Sequence, residues 1–198
     1  MKRRKVSNPL ALAVLAELFA EPMHPYEMGR RLKEHGKDRD IKYNRGSLYM
    51  VVEQLTKAGF IAEHETVRDT QRPERTIYAI TDAGRTELYD WMRELVATPV
   101  HEYPSFGVAL SLLVVLPPEE TVQLLGRRLE TLTAQVGEIR DAMRQAIEEV
   151  GLDWWFLIEE EYRLAMCEAE RGYVASLAER LAGPDYHRMW NEFFRGRT

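Results

Sequence analysis

The chain has one cysteine, Cys167, in 198 residues. That excludes an internal disulfide and any zinc site built from several thiolates. Long apolar runs are also missing, and nothing approaches the ~20 residues needed to cross a bilayer. The apolar stretch Leu10 to Ala20 follows a basic start, Met-Lys-Arg-Arg-Lys, in the manner of a secretion signal. Glu17 interrupts it, however, and no small-residue cleavage site follows, so the expected address is cytoplasmic. The five histidines (His24, His35, His64, His101 and His187) form no His-x-x-x-His pair and none pairs with Cys167. A glycine-rich phosphate loop and a serine nucleophile elbow are both lacking. The run Glu159-Glu160-Glu161 splays over ~200° of a helix and reads as a solvated face, not a set of metal ligands. These absences leave no enzyme, no metal and no cofactor to expect.

Hydrophobic residues make up 45% and charged residues 30%, ordinary values for a globular chain. The net charge of −5 is unevenly placed. Residues 1–98 hold 17 lysines and arginines against 15 acids, whereas residues 99–198 hold 10 against 17. The first 48 residues alone hold 11 against 6. Attraction to phosphate is local and screened over about 8 Å at physiological salt, so an acidic second half does not forbid a nucleic-acid partner.

The N-terminal half reads as helix, helix, helix, hairpin, helix. Asn8 to Ala20 is the first helix, with Ser7 or Asn8 as cap and Pro9 in the first turn. Its apolar residues go nearly all the way round, which demands burial on several sides. Pro22 ends it and His24-Pro25 starts a second helix to about His35, with Met28 and Leu32 inward and Arg30, Arg31 and Lys33 outward. A third helix, Asn44 to Ala58, gathers Leu48, Val51, Val52 and Leu55 on one side and closes at Gly59. Phe60 to Val67 and Thr76 to Ile80 make two strands about the turn Arg68-Asp-Thr-Gln-Arg-Pro-Glu-Arg75, and a fourth helix follows from Asp82 to about Val96. This order suggests a winged helix-turn-helix, one helix for the major groove of double-stranded DNA and one hairpin for the flanking backbone.

On that reading the outward face of the third helix carries Gly46, Ser47, Tyr49 and Met50, with Asn44 and Arg45 at its start. Glycine inside a helix is unfavourable by ~1 kcal/mol, so Gly46 marks either close approach to a sugar-phosphate backbone or a poorly formed first turn. Ser47 and Tyr49 can donate to phosphates or base edges, and Arg45 suits positioning or guanine reading. Tyr49 equally fits a half-buried core position. Arg68, Arg72 and Arg75 fit either a minor-groove or backbone contact or a solvated turn. The tail Lys2 to Lys5 is either an extra phosphate contact or an unordered end.

Two prolines in Ala97 to Pro104 mark a boundary. We divide the chain into a DNA-binding domain over 1–97, a connector with a short apolar helix over 98–117, and a helical dimerisation domain over 118–198. In the last, Val122, Leu125, Leu129, Leu132, Val136, Ile139 and Met143 step by threes and fours, a heptad seam along a helix of ~45 Å. Gly151-Leu-Asp153 breaks that helix, a second long one returns from Trp154 to about Leu181, and an amphipathic tail spans Tyr186 to Phe194. The fold class is mainly α with one small β-hairpin. An antiparallel helical hairpin meeting a second copy is the expectation, the alternative being a hairpin that satisfies itself.

Arg-Gly-Ser-Leu-Tyr-Met-Val-Val-Glu-Gln-Leu-Thr-Lys-Ala-Gly-Phe-Ile (45–61) and Arg-Thr-Ile-Tyr-Ala-Ile-Thr-Asp-Ala-Gly-Arg (75–85) together resemble the PadR family of bacterial transcriptional regulators. Leu-Ala-Leu-Ala-Val-Leu-Ala-Glu-Leu (10–18) and His-Pro-Tyr-Glu-Met (24–28) fit its first two helices, and the extended C-terminal half resembles its larger subgroup. The resemblance implies a homodimeric repressor on a palindromic operator, released by a small molecule, with Gly46, Ser47 and Tyr49 as contacts. The family commonly has proline where this chain has Met50, and glycine and lysine in the wing where this chain has Arg72-Pro73-Glu74-Arg75.

A small hydrophobic or aromatic effector is a further expectation, since Trp91, Phe106, Trp154 and Trp155 cluster near the hinges. Ordinary core packing is the competing account of those rings. A sensor or adaptor that keeps the winged helix for protein contacts alone is the other functional class, and it would lack salt-dependent DNA affinity.

Overall fold

The first helix, α1 (Pro9–Ala20), is the hub of the N-terminal half. Asn8 caps it, its Oδ1 accepting the Leu10 amide at 2.9 Å, and Pro9 fills the first position where no amide is needed. Leu10, Ala11, Val14, Leu15 and Leu18 are all buried, because helices pack on several of its sides. The computed structural model describes residues 4–69 and 72–195, with side chains omitted for 66–74 and 195. It divides into two compact units, 1–102 and 103–198.

In the first unit α2 (Pro25–Glu34), α3 (Arg45–Lys57) and α4 (Asp82–Ala97) gather around α1, and strands β1 (Ile61–Asp69) and β2 (Arg72–Ile80) form an antiparallel hairpin. The core joins Leu10, Val14, Leu15 and Leu18 with Met28, Leu32, Leu48, Val51, Leu55, Ile61, Leu88 and Trp91. Gly36 and Gly59 follow α2 and α3 with φ of 68° and 78°, the left-handed geometry that glycine adopts without strain. At the end of α3 the Gly59 amide donates to the Thr56 carbonyl and the Phe60 amide to the Leu55 carbonyl, both at 3.0 Å. Those two bonds stop the helix and aim the chain into β1.

The hairpin is longer than expected. The segment 68–75 reads as one polar turn, yet β1 reaches Asp69 and β2 begins at Arg72, with Asp69 opposite Arg72. Backbone groups of a two-stranded ribbon pair whatever the side chains, so polar composition does not end it. Residues 70 and 71 lie outside the described residues. The register slips between Glu63 and Glu65 and again between Val67 and Asp69. A bridge at Met23 adds to the sheet: Met23 donates to the Tyr78 carbonyl at 3.0 Å and Tyr78 donates back at 3.1 Å.

Within the basic start, Arg4 is engaged inside the fold, neither an unordered end nor free for phosphate. Its side chain is 3% exposed and binds Glu87 at 2.6 Å and also Glu94, with the guanidinium 5.1 Å from the Trp91 ring centre. Glu87, Trp91 and Glu94 are spaced by four and three along α4 and so share one face. Burial acts to lower the Arg4 pKa, but its bonds to the half-buried carboxylates of Glu87 and Glu94 raise it overall and hold the cation in place. Residues 1–3 lie outside the described residues.

In the second unit α5 (Ser105–Ser111) precedes α6 (Pro118–Glu148), and α7 (Ile158–Ala182) returns along it to α8 (Pro184–Arg195). The returning helix starts later than expected, since Trp154–Leu157 form a 3-10 turn. Part of the heptad seam of α6 packs against its own chain. Leu125 and Leu132 pack with Val174 and Leu177, Leu129 joins them, Val136 is buried, and Val122, Ile139 and Met143 are half-buried. Arg128 donates to Glu170 at 2.6 Å and Arg140 pairs with Glu168, tying α6 to α7. Residues 105–116, read as connector, belong with this unit, because Phe106 and Leu110 pack on its core and Arg128 lies 3.7 Å over the Phe106 ring.

Candidate nucleic-acid interface

The start of α3 is held by a reciprocal cap. Asn44 Oδ1 accepts the Ser47 amide at 2.9 Å, while Ser47 Oγ accepts the Asn44 amide at 2.8 Å and donates to the Asn44 carbonyl at 2.9 Å. The cap makes the first turn well formed, and a β-carbon at residue 46 would lie 3.3 Å from the capping Asn44 Oδ1. It also engages the Ser47 hydroxyl locally, so Ser47 acts first as a builder of this helix end.

Beyond the cap, Leu48, Val51, Val52 and Leu55 turn inward and anchor the helix. The opposite face presents Arg45, Gly46, Tyr49 and Met50 to solvent, Tyr49 being 38% and Met50 52% exposed. The Arg45 guanidinium sits 5.7 Å from the Tyr49 ring centre, a cation stacked over an aromatic face. Tyr49 therefore stands on the surface side of the two positions it fitted. Six of the expected contact residues, 44–47 with 49 and 50, are thus brought together on one helix end. Arg75 is exposed on β2, whereas the side chain of Arg72 lies outside the described residues, as does that of Arg68.

Two hollows flank Tyr49. One, of about 670 Å³, lies between α3 and the hairpin and is lined by His24, Tyr49, Met50, Glu53, Thr76 and Tyr78 among others. The other, of about 520 Å³, lies between α2 and α3 and adds Tyr26, Arg30 and Lys33 to Arg45 and Tyr49. Tyr26 and His24 carry no marker that separates them from ordinary helix-start residues. The outward placing of Arg30 and Lys33 on α2 is the signal that was there. Within α2, Arg30 and Arg31 donate to Glu27 and pull its carboxyl below the usual range, Arg30 having the larger effect. Burial raises the phenol pKa of Tyr43 and of Tyr78.

The residues read as an effector site differ in burial. Trp91 is a core residue of the first unit, since its spacing from Leu88 on α4 turns both inward. Phe106 is half-buried in the second unit beneath Arg128. Trp154 and Trp155 are 64% and 55% exposed, with Trp155 stacked on Phe156 at 3.8 Å. Among the described residues no group of histidine, cysteine or acids is placed to hold a metal ion.

Residues 12–90 match the model of the transcriptional regulator PadR-like family. Over that segment the chain is similar to PadR-like transcriptional regulators. The chain is 25% identical over 132 residues to the negative transcriptional regulator PadR of Bacillus subtilis (strain 168), covering 66% of itself and 71% of that protein. Its fold is similar to the crystal structure of Bacillus subtilis PadR in complex with operator DNA, with a TM-score of 0.69 at 19% identity, over 87% of this chain and 99% of that one. The structure of the same protein in complex with p-coumaric acid gives 0.70 at 18% identity, over 88% and 99%. The mainly helical, winged-helix architecture is thereby shared along most of the chain. The family and its structural neighbours are regulators of transcription, not enzymes.

Proposed function

We propose that this regulator represses transcription by binding a palindromic operator as a homodimer, and that a small aromatic effector releases it. The observation that carries the reading is the exposed end of α3, where Arg45, Gly46, Tyr49 and Met50 stand clear of the core beside the hairpin. A helix held this way fits the major groove, and the hairpin then follows the flanking backbone. Two copies placing their helices one turn apart, ~34 Å, would read a two-fold symmetric site.

Because part of the α6 seam packs within the chain, the second copy is assigned to the outer faces of the helical hairpin. Tyr162, Met166 and Tyr173 on α7 and Leu124 and Ile147 on α6 are exposed there. Such apolar faces on long helices favour association over solvation. The relative described as a negative regulator supports repression, and its structure with p-coumaric acid supports an aromatic effector. In this chain Trp154, Trp155 and Phe156 offer exposed rings for such a ligand. The action is assigned to the cytoplasm, with no membrane partner; no described helix is long and apolar enough to cross a bilayer.

Selection of genomic fragments by the purified protein, combined with sedimentation, tests the reading. Recovery of fragments sharing an inverted repeat, by a protein that sediments as a dimer, is the expected result. A folded protein that binds no duplex even at low salt would overturn it and favour an adaptor acting through protein contacts.

A further inference from the structure

The hollow between α3 and the hairpin is lined in part by His24. Two features fix the ring there. Met23 exchanges both backbone hydrogen bonds with Tyr78 of β2, so the residue after it is tied to the root of the hairpin. His24 itself caps α2, its Nδ1 accepting the Tyr26 amide at 3.1 Å. A ring nitrogen that accepts carries no proton, so the neutral ring holds its proton on Nε2, away from the cap.

The shape of duplex DNA says what this hollow must hold. A major groove and the minor groove beside it are separated by one sugar-phosphate strand. A helix in the first and a hairpin over the second therefore straddle that strand, and a donor between them meets phosphate oxygens. We propose that His24 is a positioning residue of the DNA interface, its Nε2–H donating to a backbone phosphate lodged between α3 and the hairpin. The proposal rests on the reading of this chain as a duplex binder.

The charges around the ring give the contact a pH dependence. Arg45, Glu53 and Lys57 come from α3, Glu63 from β1 and Arg75 from β2, with Tyr49 and Tyr78 as further titratable neighbours and Glu27 on α2 itself. Glu53 is paired with Lys57 at 2.5 Å. Burial first, then Arg75 and Arg45, holds the imidazole pKa below its ordinary value, so the free protein carries the ring neutral at neutral pH. A phosphate against Nε2 favours the charged ring and raises that pKa. Binding then takes up a proton between the free and bound values, and affinity strengthens as pH falls through that window.

The test uses the full chain and a fluorescent mixed-sequence duplex, with anisotropy titrations from about pH 8 to about pH 5.5 across a range of salt. His24→Asn keeps a strong helix cap while removing the far ring nitrogen. It should bind about tenfold more weakly at the acid end, with a salt slope smaller by about one and an unchanged melting temperature. His24→Gln, a donor that does not titrate, should stay near the parent at the alkaline end and gain less on acidification. Either variant following the parent's pH profile and salt slope would overturn the assignment. A parent protein that binds no duplex would instead overturn the DNA-binding reading beneath it.

Discussion

Gly84 packs so tightly on the backbone of Phe60 that a β-carbon at residue 84 would lie 2.0 Å from the Phe60 carbonyl oxygen. The same corner is closed by Thr81, whose hydroxyl accepts the Gly84 amide at 3.0 Å and donates to the Gly59 carbonyl at 2.8 Å. The start of α4 is thus pinned to the end of α3. Gly84→Ala forces a shift of backbone rather than of a flexible side chain. It should destabilise the first unit by about 3 kcal/mol, the upper end for overpacking. A thermal melt should register this as a fall of roughly 10 °C, and an unchanged melt would show that α4 slides freely.

Arg4 predicts a second stability effect, in a segment that looks dispensable. Replacing it with alanine removes the guanidinium that Glu87 and Glu94, 12% and 17% exposed, both bind. Breaking a buried pair from one side is unfavourable by about 3 kcal/mol. Arg4→Ala should therefore lower the urea midpoint clearly, whereas Lys5→Ala should not.

Glu27 supplies a pH-dependent term. Its carboxyl pKa is depressed in the folded chain, chiefly by the hydrogen bond from Arg30. A depressed pKa contributes stability that is present above the unfolded value and disappears as pH falls through the folded one. Glu27→Gln should cost less than about 1 kcal/mol at neutral pH, as befits a partly exposed pair. The difference between variant and parent should vanish below the ordinary carboxylate range. Urea melts at several pH values would show it, and a gap that persists in acid would refute the ion-pair account.

Arg45→Ala separates binding from folding. The side chain lies over Tyr49 on the exposed face and supports no buried residue. The variant should melt like the parent yet bind duplex DNA more weakly, with a salt slope reduced by about one. Normal binding in a gel shift would show that this end of α3 does not face the duplex.

How much of this was legible in the sequence depends on whether the governing contact is local. The extent of α3 and the glycine stop at Gly59 follow from neighbours a few residues apart, so spacing reveals them, whereas the caps at Asn44 and Thr81 emerge only from the structure. The outward set Arg45, Gly46, Tyr49 and Met50 follows from the same periodicity. The Met23 bridge is a single extended residue, too short for any alternating pattern to announce. Arg4 looks like a solvated tail because its carboxylates lie more than 80 positions away. The heptads of α6 require a facing helix but do not name the chain that provides it. Trp91 was grouped with the hinge rings by proximity in sequence, while its helical phase with Leu88 turned it into the core.

The pair of amides exchanged by Met23 and Tyr78 makes the root of the ribbon and the beginning of α2 one mechanical piece. A load applied to the ribbon's base is passed to the helix pair beside it rather than absorbed at a joint. Bending has to be taken up farther out, past the register slip between Glu63 and Glu65. On the proposed reading, a duplex of unusual groove width would meet a ribbon root and an α2 start that move together.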